Sequence, residues 1–339
     1  MADAESLLVR KPESVGDTTI QPAILATKLT KRYGKRLSVD GLDLAIAPGE
    51  LYALLGDNGA GKTTTINILT TLLSPTAGEF FICGHNGLKQ AEKCKRHFGV
   101  VSQDVAIYQE LTASENLRFV ASLYGVPKKE LDDRIKTLLE HAGLLDRAND
   151  PADEFSIGMQ RKLSIAMAIL PQPKVLFMDE PTVGLDPVSR KHIWEMLVDL
   201  KQKGVTILLT THYLEEAEAL ADRVGIIRQG KLLLEGTVPQ LREKLSVARH
   251  IVITLADAWD ANVLEAKLET LHLKYGIKGV FEPASKSIIV TQQGTEDLAV
   301  IMKSMLSWLE AESIKFTRFD THEPSLEEMF LSIVTKGGA

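Results

Sequence analysis

The sequence has few cysteines, no long apolar run and no excess of positive charge, and each shortage excludes a class of protein. Its two cysteines, Cys83 and Cys94, lack the spacing of a zinc site or a disulfide framework, and indicate reduced cytosolic thiols. No run approaches the roughly 18 apolar residues of a membrane-spanning helix, so any spans would come from another chain. The formal net charge is −6, so the chain as a whole lacks the excess of positive charge that is typical of a nucleic-acid-binding protein.

A glycine-rich segment stands out against this background. It follows the apolar run Leu51–Leu55, precedes Thr65–Leu69 and reads Gly56, Asp57, Asn58, Gly59, Ala60, Gly61, Lys62, Thr63, Thr64. This context predicts the strand, turn and helix of the phosphate-binding pattern G-x-x-x-x-G-K-[ST]. Consecutive N–H groups and a helix N-terminus attract phosphate, with Lys62 at the β- and γ-phosphates and Thr63 as a Mg²⁺ ligand. The segment predicts a nucleoside-triphosphate site; an ordinary glycine-rich turn is the less favoured alternative.

A second apolar run ends in two carboxylates. Val175–Asp179 is bounded by prolines and has the length of a buried strand. A carboxylate at such a strand end, beside a phosphate loop, is suited to hold Mg²⁺, and we assign this to Asp179. We assign Glu180 as the base that polarises the attacking water. The alternative, a solvated strand end, is disfavoured once the two features are taken together.

The order of predicted elements indicates an α/β fold with a smaller domain after it. Residues 1–21 are acidic and are expected to form a flexible tail, not a secretory signal. Residues 22–240 begin with antiparallel strands, alternate strands with helices, and turn helical over about 104–170, which predicts a largely parallel, covered sheet. Residues 248–339 have the order β-α-β-β-α-β plus a final helix, typical of a ferredoxin-like unit.

Seven motifs in order resemble the nucleotide-binding subunit of an ATP-binding-cassette (ABC) transporter. Besides Walker A and Walker B, they are Tyr33 as the adenine-stacking aromatic, the Q-loop around Gln103, the signature 155–160, the D-loop 183–186 and the switch residue His212. The resemblance implies a P-loop ABC cassette with a mixed sheet core, an antiparallel β subdomain and a helical subdomain. It also implies ATP and Mg²⁺ as cofactors.

The roles implied by the motifs are as follows. The catalytic set is Lys62, Gln103, Glu180 and His212, and the Mg²⁺ ligands are Thr63, Gln103 and Asp179. The nucleotide contacts are Tyr33, Gly56, Asp57, Asn58, Gly59, Ala60, Gly61, Lys62, Thr63, Thr64, Gln103, Ser156, Gly158 and His212.

Some of these residues have simpler interpretations. Tyr33 could be a turn tyrosine, Ser156 a plain N-cap, and His212 a surface or core histidine. Asp186 before Pro187 is a good N-cap whose further role across a dimer stays open.

The signature departs from the family pattern at Ile157 and at Met159. If the backbone at Ile157 needs positive φ, a β-branched residue there costs about 1–2 kcal/mol. The hypothesis is that Gly158 makes the essential contact and that Ile157 lowers turnover.

The implied function is an ATP-hydrolysing subunit that dimerises around two ATP molecules and drives a separate membrane permease. The C-terminal segment 323–330 resembles the accessory domain of exporter-type ATPases related to daunorubicin-resistance proteins, and no nucleic-acid partner is expected. Tyr108, Glu110 and Leu111 are the expected permease contacts, with a solvated loop as the alternative. A soluble ABC-type ATPase acting on nucleic acid or ribosomes is the second hypothesis, and a regulatory ATPase or nucleotide sensor the third.

Overall fold

The computed structural model describes residues 21–245, 249–292, 298–322 and 325–330. The predicted tail lies outside these ranges apart from Gln21. The chain forms two compact units, Met1–Glu235 and Gly236–Ala339.

The strands up to the boundary between the units are β1 Ile24–Tyr33, β2 Arg36–Ile46, β3 Leu51–Leu55, β4 Ala77–Ile82, β5 His85–Asn86, β6 Phe98–Val101, β7 Val175–Asp179, β8 Thr206–Thr211, β9 Arg223–Arg228 and β10 Lys231–Gly236. The helices are α1 Lys62–Leu69, α2 Ala91–Lys95, α3 Ala113–Tyr124, α4 Lys128–His141, α5 Ile157–Ile169, α6 Pro187–Gln202 and α7 Leu214–Leu220.

A six-stranded sheet in the order β10-β9-β3-β8-β7-β6 forms the centre of the first unit. Strand β3 pairs in parallel with β8 and β9, and β7 pairs in parallel with β6 and β8. Every residue of β3, β7 and β8 is buried, which explains the apolar runs of β3 and β7. Because the carboxyl ends of parallel strands share one edge, the segments after β3, β7 and β8 become neighbours.

Two smaller parts complete the first unit. Strands β2, β1, β4 and β5 form a separate antiparallel sheet, with β1 paired to β2 and β4. Helices α3, α4 and α5 pack around a separate apolar cluster that includes Leu117, Ile135 and Leu163. The predicted capping box is present: the Thr112 side chain accepts from the Glu115 N–H, and the Glu115 carboxylate accepts from the Thr112 N–H.

The second unit has the predicted ferredoxin-like topology. Its elements are α8 Val238–Leu245, β11 Arg249–Leu255, α9 Ala261–Tyr275, β12 Gly279–Glu282, β13 Ser287–Gln292, α10 Leu298–Ala311 and β14 Phe316–His322. The sheet order is β12-β13-β11-β14, and its pairings are antiparallel. Residues 326–330 are helical, and the rest of the predicted final helix, 331–335, lies outside the described residues. The predicted fold class, an ABC-type α/β cassette followed by an α+β domain, is confirmed.

The structure differs from the sequence-based prediction at the end of α1 and at two helices that were not predicted, α2 and α8. Helix α1 ends at Leu69 instead of near Leu73, because Thr71 takes a left-handed φ of 63° and its N–H bonds Ile68 O. Helix α8 was not predicted; it is short and has one fully buried apolar residue, Leu241, which gives little periodicity to detect.

Candidate functional site

The phosphate-loop segment connects the end of β3 to the start of α1. Gly59 and Gly61 have φ of 79° and 113°, a region that L side chains avoid. A Cβ on Gly61 would lie 2.3 Å from Ser38 O, and one on Gly56 would lie 2.4 Å from Ile227 O. Glycine is therefore required both by the backbone conformation and by the close approach of neighbouring carbonyls.

Lys62 begins α1, and its side chain turns back over the loop. Nζ donates to Gly56 O at 2.6 Å and to Asp57 O at 3.3 Å. The same nitrogen lies 3.0 Å from Glu180 Oε1, and the two side chains are only 4% and 7% exposed. A buried ammonium held among oxygen acceptors is a positive charge fixed inside the loop, as phosphate binding requires.

Asp179 and Glu180 lie where β7 ends beside β8. The Thr210 hydroxyl donates to Asp179 Oδ1 at 2.5 Å, and the Glu180 N–H donates to Thr210 O at 3.0 Å. Glu180 has a left-handed φ of 48°, unusual for a residue with a side chain. Such strain is typical of functional sites, and here the backbone turns at the residue whose carboxylate contacts Lys62.

His212 follows β8 directly and completes this group of side chains. Its Nδ1 lies 3.2 Å from Glu180 Oε2, and its side chain is 35% exposed. One carboxylate therefore contacts Lys62 through one oxygen and His212 through the other. The structure brings together residues from three separate motifs, at positions 62, 180 and 212 of the chain.

The other predicted nucleotide contacts lie around this centre. Thr63 is exposed, and Thr64 Oγ1 lies 2.9 Å from Ser38 Oγ. Tyr33 ends β1 at the tip of the β1–β2 hairpin, is 50% exposed, and has Lys31 Nζ 5.3 Å from its ring centre. Arg36 opens β2 and donates to Gly59 O at 3.3 Å, so the tip of the hairpin lies against the phosphate loop.

The signature residues lie at the N-terminus of α5. Ser156 is its N-cap and accepts from Met159 N at 3.3 Å. Ile157 is the first helical residue and does not have a positive φ, so the strain considered from the sequence does not arise. Its side chain is 61% exposed. A Cβ on Gly158 would lie 2.6 Å from Ser189 Oγ, so close packing against α6 requires glycine there.

The D-loop ends in the expected helix cap. Asp186 Oδ1 accepts from Val188 N at 3.0 Å and from Ser189 N at 2.9 Å, and the Ser189 hydroxyl donates to Oδ2 at 2.6 Å. The Ser189 side chain and these main-chain donors lower the pKa of Asp186. Among the described residues, no hydrogen bond or ion pair joins the signature residues Ser156 and Gly158 to Lys62 or Glu180.

Sequence analysis missed two charged residues that connect these motifs. Arg161, on α5, donates to the main-chain carbonyls of Ser102 and Gln103. Glu216, on α7, is buried and accepts from the Thr182 hydroxyl at 2.9 Å and from Trp194 Nε1 at 3.1 Å. Burial raises the pKa of Glu216 against the opposing effects of its hydrogen bonds and of Arg190. No local signal sets Arg161 apart in the sequence, because its neighbours Gln160 and Lys162 are also polar.

Comparison with known proteins agrees with this geometry. The sequence model of the ABC transporter family matches residues 39–183. The chain is 36% identical to the linearmycin resistance ATP-binding protein LnrL of Bacillus subtilis over 91% of this chain and 97% of the relative. It is 36% identical to the daunorubicin/doxorubicin resistance ATP-binding protein DrrA of Streptomyces peucetius over 92% of each chain.

Solved structures give the same result. The ATP-binding subunit of an ABC transporter aligns with a TM-score of 0.61 at 33% identity, covering 66% of this chain and 92% of that one. A dimeric ATP-binding cassette in a post-hydrolysis state, bound to ADP and Pi, aligns with a TM-score of 0.58 at 28% identity, covering 63% and 98%. The chain therefore belongs to the ABC transporter family, as an ATP-binding subunit with ATPase activity.

Proposed function

We propose that this ATPase works as a pair of cassettes around two ATP molecules and drives a separate membrane permease, as part of an exporter. Residues 22–240 would form the nucleotide-binding domain and residues 248–339 an accessory domain. The observation that carries the proposal is the contact of the Glu180 carboxylate with Lys62 at 3.0 Å and with His212 at 3.2 Å. A cation, a base and an imidazole in contact form a minimal site for phosphoryl transfer to water.

In this proposal, Lys62 exchanges its contact with Glu180 for the β- and γ-phosphates of ATP. Released from Lys62, the Glu180 carboxylate accepts a proton from the water that attacks the γ-phosphorus, while the bond to the β,γ-bridging oxygen breaks and ADP leaves. His212 orients the water and donates to the γ-phosphate. Catalysis would rest mainly on positioning and charge neutralisation.

The residues at the predicted metal site fit Mg²⁺. The donor set of Thr63 hydroxyl, Gln103 amide oxygen and Asp179 carboxylate consists of the oxygen ligands this ion prefers. Asp179 is only 4% exposed, and Thr210 orients one of its carboxylate oxygens. When bound, Mg²⁺ would neutralise charge on the phosphates. Thr210 would orient Asp179, and the exposed Gln103 would approach from the loop after β6.

Ser156 and Gly158 are proposed to contact the ATP that the second cassette binds. Support comes from their place at the N-terminus of α5, where free N–H groups and the helix dipole favour an anion. Tyr33 is proposed to stack on adenine, which its 50% exposure permits. The second cassette would be another copy of this chain or a homologous one.

A membrane permease is proposed as the second partner. Among the described residues, no helix combines the length and the apolar character that crossing a bilayer requires. The relatives named above are ATP-binding proteins of drug resistance, which supports an exporter working from the cytoplasmic face of a membrane. Tyr108 and Glu110 are exposed and Leu111 is half-buried, so this loop is a candidate contact, with Tyr108 held by an edge-on contact to Phe119.

Purification of the tagged chain from its native membranes, with and without ATP, tests this proposal. A multi-spanning protein recovered in stoichiometric amount would support the permease assignment. Recovery of ribosomal or nucleic-acid material without any membrane protein would overturn it in favour of a soluble ATPase.

A further inference from the structure

Arg161 joins the signature helix to the Q-loop through two hydrogen bonds from one guanidinium. Nη1 donates to Ser102 O at 2.5 Å and Nη2 donates to Gln103 O at 2.5 Å. The two acceptors are successive carbonyls of the loop that follows β6. A planar fork with several fixed donors matches such a pair of acceptors, which a lysine ammonium does not.

A charge is costly at the buried position of Arg161 unless these two hydrogen bonds offset the loss of solvation. The residue is 3% exposed, and its Nε is buried without a hydrogen-bond partner in the described part of the chain. Burial lowers the pKa of Arg161, and the carboxylate of the exposed Asp104 opposes that effect. An apolar residue would fill this space without the cost of desolvating a cation.

The hydrogen bonds fix two segments that the proposed mechanism assigns to different nucleotides. The main chain of Gln103 is held by Arg161 while its side chain is exposed. The same helix carries Ser156 and Gly158 at its N-terminus, about 8 Å and about 5 Å along the axis from Arg161 at the usual rise per residue. Because a helix is rigid over so short a length, a movement of the Q-loop is transmitted to the signature residues.

We propose that Arg161 is a positioning residue that couples the Q-loop of one nucleotide site to the signature contacts made with the partner cassette. This inference rests on the proposed function, in which Ser156 and Gly158 act on the nucleotide of the second cassette. In this proposal Gln103 contacts the nucleotide bound by its own chain. Arg161 fixes the position of the N-terminus of α5, which carries the signature residues, relative to Gln103. Loss of Arg161 leaves the phosphate loop intact and misplaces the helix that completes the other site.

The test compares three variants. Arg161→Met removes the charge and keeps most of the apolar stem, and Arg161→Lys restores a charge. Lys162→Met, at the neighbouring half-buried residue of α5, is the matched control. A displacement of about 1 Å lowers catalysis roughly 100-fold, so we expect kcat of Arg161→Met to fall by about that factor. ATP affinity of the diluted, monomeric chain should stay within about twofold of the parent, because Lys62 and its loop are unchanged. Arg161→Lys should recover part of kcat, and Lys162→Met should match the parent.

Two results would overturn the coupling role. One is an Arg161→Met variant with the kcat of the parent. The other is a parallel fall of kcat, ATP affinity and melting temperature that Arg161→Lys does not relieve, which would mark Arg161 as a packing residue.

A second measurement separates this inference from the proposed function. In a Glu180→Gln background, ATP should drive dimer formation, measured by light scattering, and addition of Arg161→Met should abolish it. If the Glu180→Gln parent fails to dimerise, the proposed paired mechanism is wrong and the coupling falls with it. If the parent dimerises and the double variant dimerises equally well, only the role of Arg161 is wrong.

Discussion

Replacing Glu180 by glutamine changes the chemistry at the centre of the site and nearly preserves the side-chain shape. Oε1 of Glu180 lies 3.0 Å from Lys62 Nζ, and Oε2 lies 3.2 Å from His212 Nδ1. The glutamine amide can keep a hydrogen bond to each neighbour, but it cannot take a proton from water. The variant therefore separates the proposed base function of Glu180 from its role in packing.

The expected loss of rate follows from that separation. A positioned general base contributes about 100- to 10,000-fold, which corresponds to about 3–5 kcal/mol of transition-state free energy. Removing one partner of a buried ion pair also destabilises a fold by about 3–5 kcal/mol, an upper limit here because the amide still hydrogen-bonds Lys62. The phosphates of ATP supply the missing negative charge, so nucleotide should stabilise Glu180→Gln more than it stabilises the parent.

Phosphate release at saturating ATP and thermal unfolding with and without nucleotide measure both effects. Glu215→Gln is the control. Glu215 lies on α7, shortly after His212, and it is exposed. We expect the control to behave like the parent in both assays. If Glu180→Gln hydrolyses ATP at the rate of the parent, Glu180 is not the base and the reasoning fails.

Three further predictions concern the packing and titration of neighbouring residues. Gly158→Ala should lower the free energy of unfolding by about 1–3 kcal/mol because its Cβ meets Ser189; urea unfolding measures this, and a double variant with Ser189→Gly that recovers nothing would contradict it. Ile157→Gly and Ile157→Ala should raise the ATPase rate alike if the exposed side chain obstructs phosphate approach, whereas an increase in the glycine variant alone would indicate backbone strain. Burial raises the pKa of Glu216, so the folded state favours its protonated form and loses stability as pH rises through that pKa. The free energy of unfolding of Glu216→Gln minus that of the parent, measured in denaturant titrations, should therefore increase from acid to neutral pH. A difference that does not change with pH would argue against a raised pKa of Glu216.

Local chemistry explains which parts of the protein could be predicted. The glycines of the phosphate loop, the apolar runs of β3 and β7 and the capping box at Thr112 each have a pattern confined to a few residues. Helix ends were less certain: α1 stops at Leu69 because Thr71 adopts a left-handed conformation. The ferredoxin-like order of the second unit was predictable because its strands and helices have distinct periods and are separated by turns.

The sequence by itself determined the family and the fold class, because the seven motifs occur in order in one chain, and it predicted which residues surround the nucleotide. Tertiary structure alone decided how those residues meet. Parallel pairing of β3, β8 and β7 brings Lys62, His212 and Glu180 to one sheet edge, and Glu180 reaches both neighbours from a strained backbone. The contacts of Arg161 and Glu216 likewise join segments distant in sequence, and no local pattern encodes a hydrogen bond to a main-chain carbonyl more than fifty residues away.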